Sequence, residues 1–242
     1  MRVVRAHYAA QLREYLRYPS FSVPTLAFPA LFFLLFVVPR SGGLDVDAFL
    51  VSYAAFALLG VVFFQFGVGI AIERVQPWER YLRTLPLRAS TRFIARILTA
   101  LTFGALSAAV LVGTAAAATS SLPPLRSWPA IVAALALGTV PHALLGIALG
   151  YLAPPRGALP LANLLYLGLA YVGGLWTTAE HLPGAVASVS VALPTRQWAE
   201  LLWRAADGGW DTGATVALAA YAVAFAAVAT WAYRRDEGER FT

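Results

Sequence analysis

The charged side chains of this chain concentrate in one stretch, residues 73–96, which reads E-R-V-Q-P-W-E-R-Y-L-R-T-L-P-L-R-A-S-T-R-F-I-A-R. Six of the arginines fall inside it, between two apolar runs that are each long enough to cross a bilayer. Guanidinium groups bind carboxylates and phosphates strongly. The chemistry predicted here is ionic docking of a soluble partner. The alternative is an ordinary basic loop whose aromatic residues lie at the headgroup level.

The middle of this stretch predicts a short helix between two prolines. Pro77 suits the first turn of a helix, and Pro86 ends it after about two turns. The helix has an apolar-aromatic side at 3–4 spacing and a charged remainder. The apolar side consists of Trp78, Tyr81, Leu82 and Leu85, and the charged residues are Glu79, Arg80 and Arg83.

Catalytic and metal-binding constellations are not visible in the sequence. His7, His142 and His181 fall on a surface helix, within a span and outside the membrane, so they cannot meet at one metal. The chain has no cysteine and no lysine, which excludes a thiol nucleophile, a Cys-type zinc site and a Walker-type P-loop. No Ser/His or paired-Asp arrangement is visible either. We therefore expect no enzyme activity and no cofactor on this chain.

Three strongly polar residues lie at membrane depth: Gln65, His142 and Asn163. Each could join neighbouring helices by a hydrogen bond worth about 1 kcal/mol, or contact a substrate in a pathway. Carboxylates, which usually mark ion and proton relays, are missing from the span interiors. This argues against a secondary transporter or channel, although that class stays open as an alternative.

Composition places the chain in the membrane class, because 60% of its residues are hydrophobic and only 12% are charged. The net charge of +6 comes from arginine alone and is spread between apolar runs. We interpret this charge as a topology signal and expect no nucleic-acid partner.

The apolar runs predict an all-α membrane protein forming a single domain, 1–242, with six transmembrane helices. The predicted spans are Phe21–Val38, Phe49–Ile72, Phe93–Ala118, Trp128–Leu152, Leu159–Thr178 and Ala214–Tyr233. With both termini in the cytoplasm, fourteen arginines lie inside and four outside, a strong positive-inside bias. Arg92 and Arg96 are expected to extend towards the headgroups, and Arg234–Thr242 to form a hydrophilic tail.

Three segments outside the spans have their own predicted structure. Residues 1–19 form an amphipathic interfacial helix with Val4, Tyr8, Leu12 and Tyr15 on one side and Arg2, Arg13 and Arg17 opposite. Residues 73–92 form the cytoplasmic loop. Residues 180–213 form an external hairpin of two short helices, each beginning at a proline: Ala185–Leu193 dips back into the membrane, and Gln197–Ala206 lies along the interface.

These features together resemble the permease subunit of ABC-2 type ATP-binding-cassette transporters, a family that includes bacterial drug, polysaccharide and lipid exporters. The resemblance covers nearly the whole chain. It depends on the basic amphipathic N-terminal helix, the six spans, the E-R…W-E-R-Y-L-R-T-L-P loop and the L-P-G…L-P-T-R-Q-W-A-E-L-L-W-R hairpin before the last span.

The resemblance implies a role for the loop and a set of partners. The helix around Trp78–Leu85 would be a coupling helix seated in a separate ATPase subunit, and Glu73 and Arg74 would transmit its movement. In the bacterial inner membrane, two permeases would pair as a homodimer or heterodimer and would move a small or lipid-like substrate. Two ATPase subunits, which bind ATP and Mg, would attach to them. A non-transporting scaffold that recruits a cytoplasmic protein through the same loop is the other alternative.

Overall fold

The computed structural model describes residues 2–17, 19–77, 89–177 and 182–238, and every regular element in these ranges is a helix. The all-α prediction is confirmed for them. The helices are α1 Arg2–Arg17, α2 Pro19–Phe36, α3 Val46–Glu73, α4 Ala89–Ala118, α5 Trp128–Leu152, α6 Pro155–Val172, α7 Gly184–Ser190, α8 Pro194–Ala206 and α9 Thr212–Gly238. Helix α3 contains a π segment, Phe63–Val68.

Five helical stretches within the described residues are long and apolar enough to cross a membrane. They are Ser22–Arg40, Val46–Glu73, Ile94–Ala118, Leu125–Leu152 and Thr212–Glu237. Each coincides with one of the six predicted spans. The remaining predicted span, Leu159–Thr178, falls on α6, whose 18 residues are long enough to count but, with Arg156 and Asn163 among them, not apolar enough. Six spans therefore stays a prediction.

Helix α6 ends at Val172 because a glycine turn follows it. Gly174 has a φ of +78°, the left-handed conformation that glycine adopts without strain. The amide of Leu175 donates to the carbonyl of Ala170 at 2.9 Å, and the amide of Gly174 donates to Tyr171 at 3.1 Å. This pair of bonds is a Schellman C-cap, which stops the helix before its predicted end.

Helix α3 is the centre of the bundle. It begins at an N-cap in which the carboxylate of Asp45 accepts from the amide of Ala48 at 3.0 Å. In its most apolar window 72% of the residues are buried inside the protein, against 17% for α9. Because α2, α4, α5, α6 and α8 all pack on it, α3 connects most of the fold.

Two glycines let α5 lie directly against the π segment of α3. A Cβ atom on Gly146 would stand 2.9 Å from the carbonyl oxygen of Val62, and one on Gly150 would stand 2.7 Å from that of Phe66. Backbone atoms cannot move aside as a flexible side chain can. The G-x-x-x-G pattern of α5 thus permits close packing of this helix on α3.

Helix α1 has the two faces that the sequence predicts. Val4, Tyr8, Leu12 and Tyr15 are half-buried, whereas Arg2, Arg13 and Arg17 are exposed. The apolar face packs on α4, where the Tyr8 hydroxyl lies 2.9 Å from the Thr102 hydroxyl and the Tyr15 ring meets Phe103 edge-on at 5.8 Å. Its position at a membrane surface stays a prediction.

The two short helices of the predicted hairpin are present as α7 and α8, preceded by Pro183 and beginning at Pro194. Helix α8 is amphipathic, as predicted, and its apolar side is buried among α3, α5 and α9, with Trp198, Leu201 and Leu202 fully covered. Its position along the membrane interface stays a prediction. The re-entry of α7 into the membrane stays a prediction.

The last helix extends into the segment that was predicted to be a hydrophilic tail, so this prediction is corrected. Helix α9 begins at an N-cap in which Asp211 accepts from the amide of Ala214 at 2.9 Å. It continues to Gly238, five residues beyond the predicted end at Tyr233. The extra turn brings Asp236 into the protein, where it is only 6% exposed.

Candidate functional site

The predicted docking residues lie mostly outside the described residues. These are Trp78, Glu79, Arg80, Tyr81, Leu82, Arg83 and Pro86. Their role stays a prediction. The structure does describe both ends of the loop that carries them, at Glu73 and Arg74 on one side and Arg96 on the other.

An ion pair joins the two helices from which the loop emerges. The Nη2 group of Arg96, in the second turn of α4, donates to the Glu73 carboxylate at the end of α3. Arg96 Nη1 also donates to the backbone carbonyl of Gln65 at 3.3 Å. Arg96 is predicted to extend towards the headgroups, and this is wrong, since it is 8% exposed and turned inward. The Glu73 carboxylate and the Gln65 carbonyl give this buried guanidinium the partners that it needs away from water.

A second ion pair joins the loop to two further helices. Arg74, the first residue after α3, donates through Nη1 to the Asp236 carboxylate of α9. Its Nη2 donates to the carbonyl of Ala153, just past the end of α5, at 2.8 Å. The side chains of Arg74 and Asp236 are 16% and 6% exposed. One guanidinium thus links the ends of three helices.

We call Glu73, Arg74, Arg96 and Asp236 together the loop-base cluster. It contains two positive and two negative groups, so its formal charge is zero and each charge has a partner. Pairing matters most for Arg74, Arg96 and Asp236, because an unpaired charge at their burial would be costly, whereas the Glu73 side chain is 42% exposed. Both cations are arginine, whose planar fork can donate to two acceptors in different directions.

Tyr15 brings α1 close to this cluster. Burial raises the pKa of Tyr15 to about 12, while the charge of Arg96 lowers it and the carboxylates of Glu73 and Glu14 raise it. Tyr15 therefore stays neutral at physiological pH and adds no charge beside the two ion pairs.

Gln65 is the predicted pathway residue with the most unusual environment. It lies in the π segment and is fully buried. Within the described part of the chain, neither its amide nitrogen nor its amide oxygen has a hydrogen-bond partner. An unpaired buried amide is costly, and π turns are frequent at functional sites. Gln65 therefore keeps its place as a predicted pathway residue.

His142 and Asn163 lie on other helices. His142 is buried on α5, donates from Nδ1 to the carbonyl of Gly138 at 2.7 Å, and stacks on Trp198 of α8 with ring centroids 4.9 Å apart. It contacts its neighbouring helix by stacking and bonds to its own helix. Asn163 is half-buried on α6. Among the described residues, no hydrogen bond joins Gln65, His142 and Asn163 to one another.

Two residues that were not predicted from the sequence make important contacts in the structure. Asp236 is the first acidic residue after the last apolar run, and this position could have indicated a partner for one of the arginines. Ser52 accepts from Trp203 Nε1 of α8 at 2.7 Å, although a serine within an apolar run gave no indication of that partner. Both contacts join residues more than 150 positions apart.

The two ion pairs connect the loop to four helices. The Glu73–Arg96 pair joins the end of α3 to α4 across the two ends of the loop. Arg74 extends the same connection to α5 and α9. Chains of packed residues and ion pairs of this kind can couple distant parts of a protein.

Comparisons with known proteins point to the class of membrane transport permeases. No family model matches the chain. Over 245 residues it is 25% identical to a protein of Bacillus subtilis (strain 168) named "Putative transport permease YvfS", and the similarity covers 98% of this chain and 99% of the relative. Together with the five membrane-length helices, this similarity supports a transport permease rather than a soluble protein.

Proposed function

We propose that this chain is the permease subunit of an ABC-2 type exporter, driven by a separate ATPase that binds the loop between α3 and α4. The observation that carries the proposal is the loop-base cluster. A basic loop without a mechanical role would not need both of its ends tied to neighbouring helices by ion pairs, one of them largely buried. The whole-length similarity to the Bacillus subtilis relative supports the transport part of the proposal.

The remaining parts of the proposal follow from the permease assignment. The chain crosses the bacterial inner membrane six times with both termini in the cytoplasm, and it pairs with a second permease. Two ATPase subunits bind ATP and Mg, and this chain performs no hydrolysis itself. The small number of polar groups among its spans favours a hydrophobic or lipid-like substrate, which Gln65, His142 and Asn163 could contact.

Docking in this proposal depends on the charges of the loop. Arg80 and Arg83, with Glu79, would form charge pairs with the ATPase, while Trp78, Tyr81 and Leu82 would fill an apolar cleft. Glu73 and Arg74 would then receive the movement of the ATPase and pass it to the helices.

The first prediction is that reversing Arg80 and Arg83 to Glu together removes the ATPase from the purified complex. The reversal puts glutamates where arginines attracted acidic groups of the ATPase, so that these contacts become repulsive. A loss of about 1.4 kcal/mol of binding free energy already means tenfold weaker binding. We expect at least a tenfold fall in co-purified ATPase from native cells, with the permease amount in the membrane unchanged.

The matched control reverses Arg13 and Arg17, which are exposed on α1 and give the same change in net charge. It should leave the ATPase bound. An unchanged ATPase yield with the Arg80/Arg83 variant would remove the docking assignment. If the unaltered permease captures no P-loop ATPase, the carrier and scaffold alternatives gain, and flux without ATP in vesicles would separate those two.

A further inference from the structure

Arg74 links the ends of three helices, α3, α5 and α9. It follows the last residue of α3 directly and therefore begins the loop. Its two terminal nitrogens donate in different directions, one to the Asp236 carboxylate in the last turns of α9 and one to the Ala153 carbonyl that caps α5. The loop start is thus connected to two helices that lie far from it in sequence.

The helices that Arg74 contacts are also packed against each other at this level. The rings of Tyr151 on α5 and Tyr233 on α9 meet edge-on with centroids 5.2 Å apart. On its other side α5 lies against the π segment, where Gly150 approaches the Phe66 carbonyl too closely to admit a side chain. Near the loop, α5 therefore packs on both α3 and α9, and Asp236 of α9 pairs with Arg74 at the end of α3.

We propose that Asp236 is a positioning residue which, through Arg74, couples the base of the loop to the last span. This inference rests on the proposed function, in which the loop receives the movement of an ATPase. The Glu73–Arg96 pair carries that movement to α4, which adjoins the loop in sequence. The Arg74–Asp236 pair carries it across the bundle to α9, which is not connected to the loop by the chain.

The chemistry of the pair suits this role. Asp236 is almost fully buried, so its carboxylate is held by packing and offers a fixed acceptor. Arginine supplies two donors from one planar group, whereas lysine would supply a single point charge and could not keep both contacts in place. Asparagine at position 236 would keep the shape of the side chain but lose the charge that orients the guanidinium.

The test uses the permease–ATPase complex in lipid vesicles and pairs of spin labels, which are simple to place because the chain has no cysteine. One pair joins α9 to α4 through Arg234→Cys and Leu101→Cys, and a second joins the loop base to α4 through Val75→Cys and Leu101→Cys. All three positions are exposed. ATP with vanadate should shift both distances in the otherwise unaltered protein.

In Asp236→Asn we expect co-purification of the ATPase to be unchanged and the shift at the loop base to persist, while the shift at α9 falls at least threefold. Asp236→Glu should restore more than half of the lost shift, and Arg74→Lys should behave like Asp236→Asn. The matched control is Glu237→Gln, since Glu237 accepts from Tyr233 of its own helix. It should behave as the unaltered protein does.

A full α9 shift in Asp236→Asn would overturn the inference, as would an equal loss in Glu237→Gln. Loss of the ATPase from Asp236→Asn would also overturn it, because Asp236 would then act on docking. If the unaltered permease captures no ATPase, the proposed function fails and the coupling role falls with it. Thermal unfolding of Arg74→Ala, Asp236→Asn and the double variant would then show whether the pair is energetically coupled or the effects simply add.

Discussion

At the scale of single residues, the contact between α5 and α8 depends on one glycine. The Trp198 ring lies in a slot on α5, where it stacks on His142 and donates from Nε1 to the carbonyl of Ala134 at 3.0 Å. A Cβ atom on Gly138 would overlap the indole ring of Trp198. The absence of a side chain at Gly138 therefore creates the slot that holds the external hairpin to the bundle.

We predict that Gly138→Ala destabilises the protein by about 1–3 kcal/mol, the usual cost of overpacking a well-filled interior. The indole ring is rigid and fully buried, so the added methyl group cannot be accommodated by a small side-chain rotation. Thermal unfolding in detergent should show a fall in Tm of several degrees, because about 1 kcal/mol corresponds to roughly 2–4 °C in a chain of this size.

Gly168→Ala is the control for this prediction. Gly168 lies within α6, and a Cβ atom there would meet nothing within 4 Å. Since alanine favours a helix more than glycine does, this change should leave Tm unaltered or raise it slightly. Equal effects at Gly138 and Gly168 would show that the slot is not closely packed.

At the scale of elements, the external hairpin divides into a buried and an exposed helix. Helix α8 places Trp198 and Trp203 between α3 and α5, and each indole nitrogen donates to one of these helices. Helix α7 is different, since Val189 within it is 58% exposed and Val191 just after it is 61% exposed. An apolar helix that the protein leaves uncovered fits the predicted re-entrant position in lipid.

We predict that a cysteine at Ser188 reacts slowly with a membrane-impermeant thiol reagent. Ser188 lies on α7, and its hydroxyl donates to the carbonyl of Gly184 in the same helix, at 2.8 Å. If α7 lies in the membrane, water-soluble reagent reaches this position at least tenfold more slowly than an open external turn. Labelling rates in intact cells measure the difference.

The reference position is Gly43, in the turn between α2 and α3, where a Cβ atom would meet nothing within 4 Å. A cysteine there should react rapidly. Equal rates at positions 43 and 188 would show that α7 is a plain surface helix. Because the natural chain has no cysteine, no background reaction interferes.

At the scale of the whole molecule, the number of spans decides on which side the C-terminus lies. Five helices are long and apolar enough to cross, and α6 has 18 residues, about 27 Å at 1.5 Å per residue. A hydrocarbon core of about 30 Å is slightly thicker than this. The Schellman turn at Gly174 ends α6 at this length, so that α6 as a crossing helix would require local thinning of the bilayer or a similar adjustment.

We predict that both termini lie in the cytoplasm. A fluorescent protein that folds only in the cytoplasm should therefore fluoresce when fused at either end of the chain, and alkaline phosphatase fused at the C-terminus should be inactive. Phosphatase inserted at Gly43 provides the active control. An active C-terminal phosphatase together with a cytoplasmic N-terminus would mean an odd number of spans and would exclude α6 as a crossing helix.

The sequence by itself determined the helical class, the positions of the five membrane-length helices and the two faces of α1. These properties depend on local hydrophobicity and on periodicity, which residues a few positions apart already fix. The prolines before α7 and α8 likewise marked where those helices begin. The interpretation of Trp78–Leu85 as a docking helix also comes from the sequence alone and stays a prediction.

Only the tertiary structure decided which polar groups meet. Arg96 was expected in the headgroups and Asp236 in a hydrophilic tail, yet both are buried partners in ion pairs. Their partners lie 23 and 162 positions away, and Trp203 finds Ser52 across 151 positions. Pairing over such separations depends on how whole helices pack, because a buried charge takes the nearest compensating group that the packing provides.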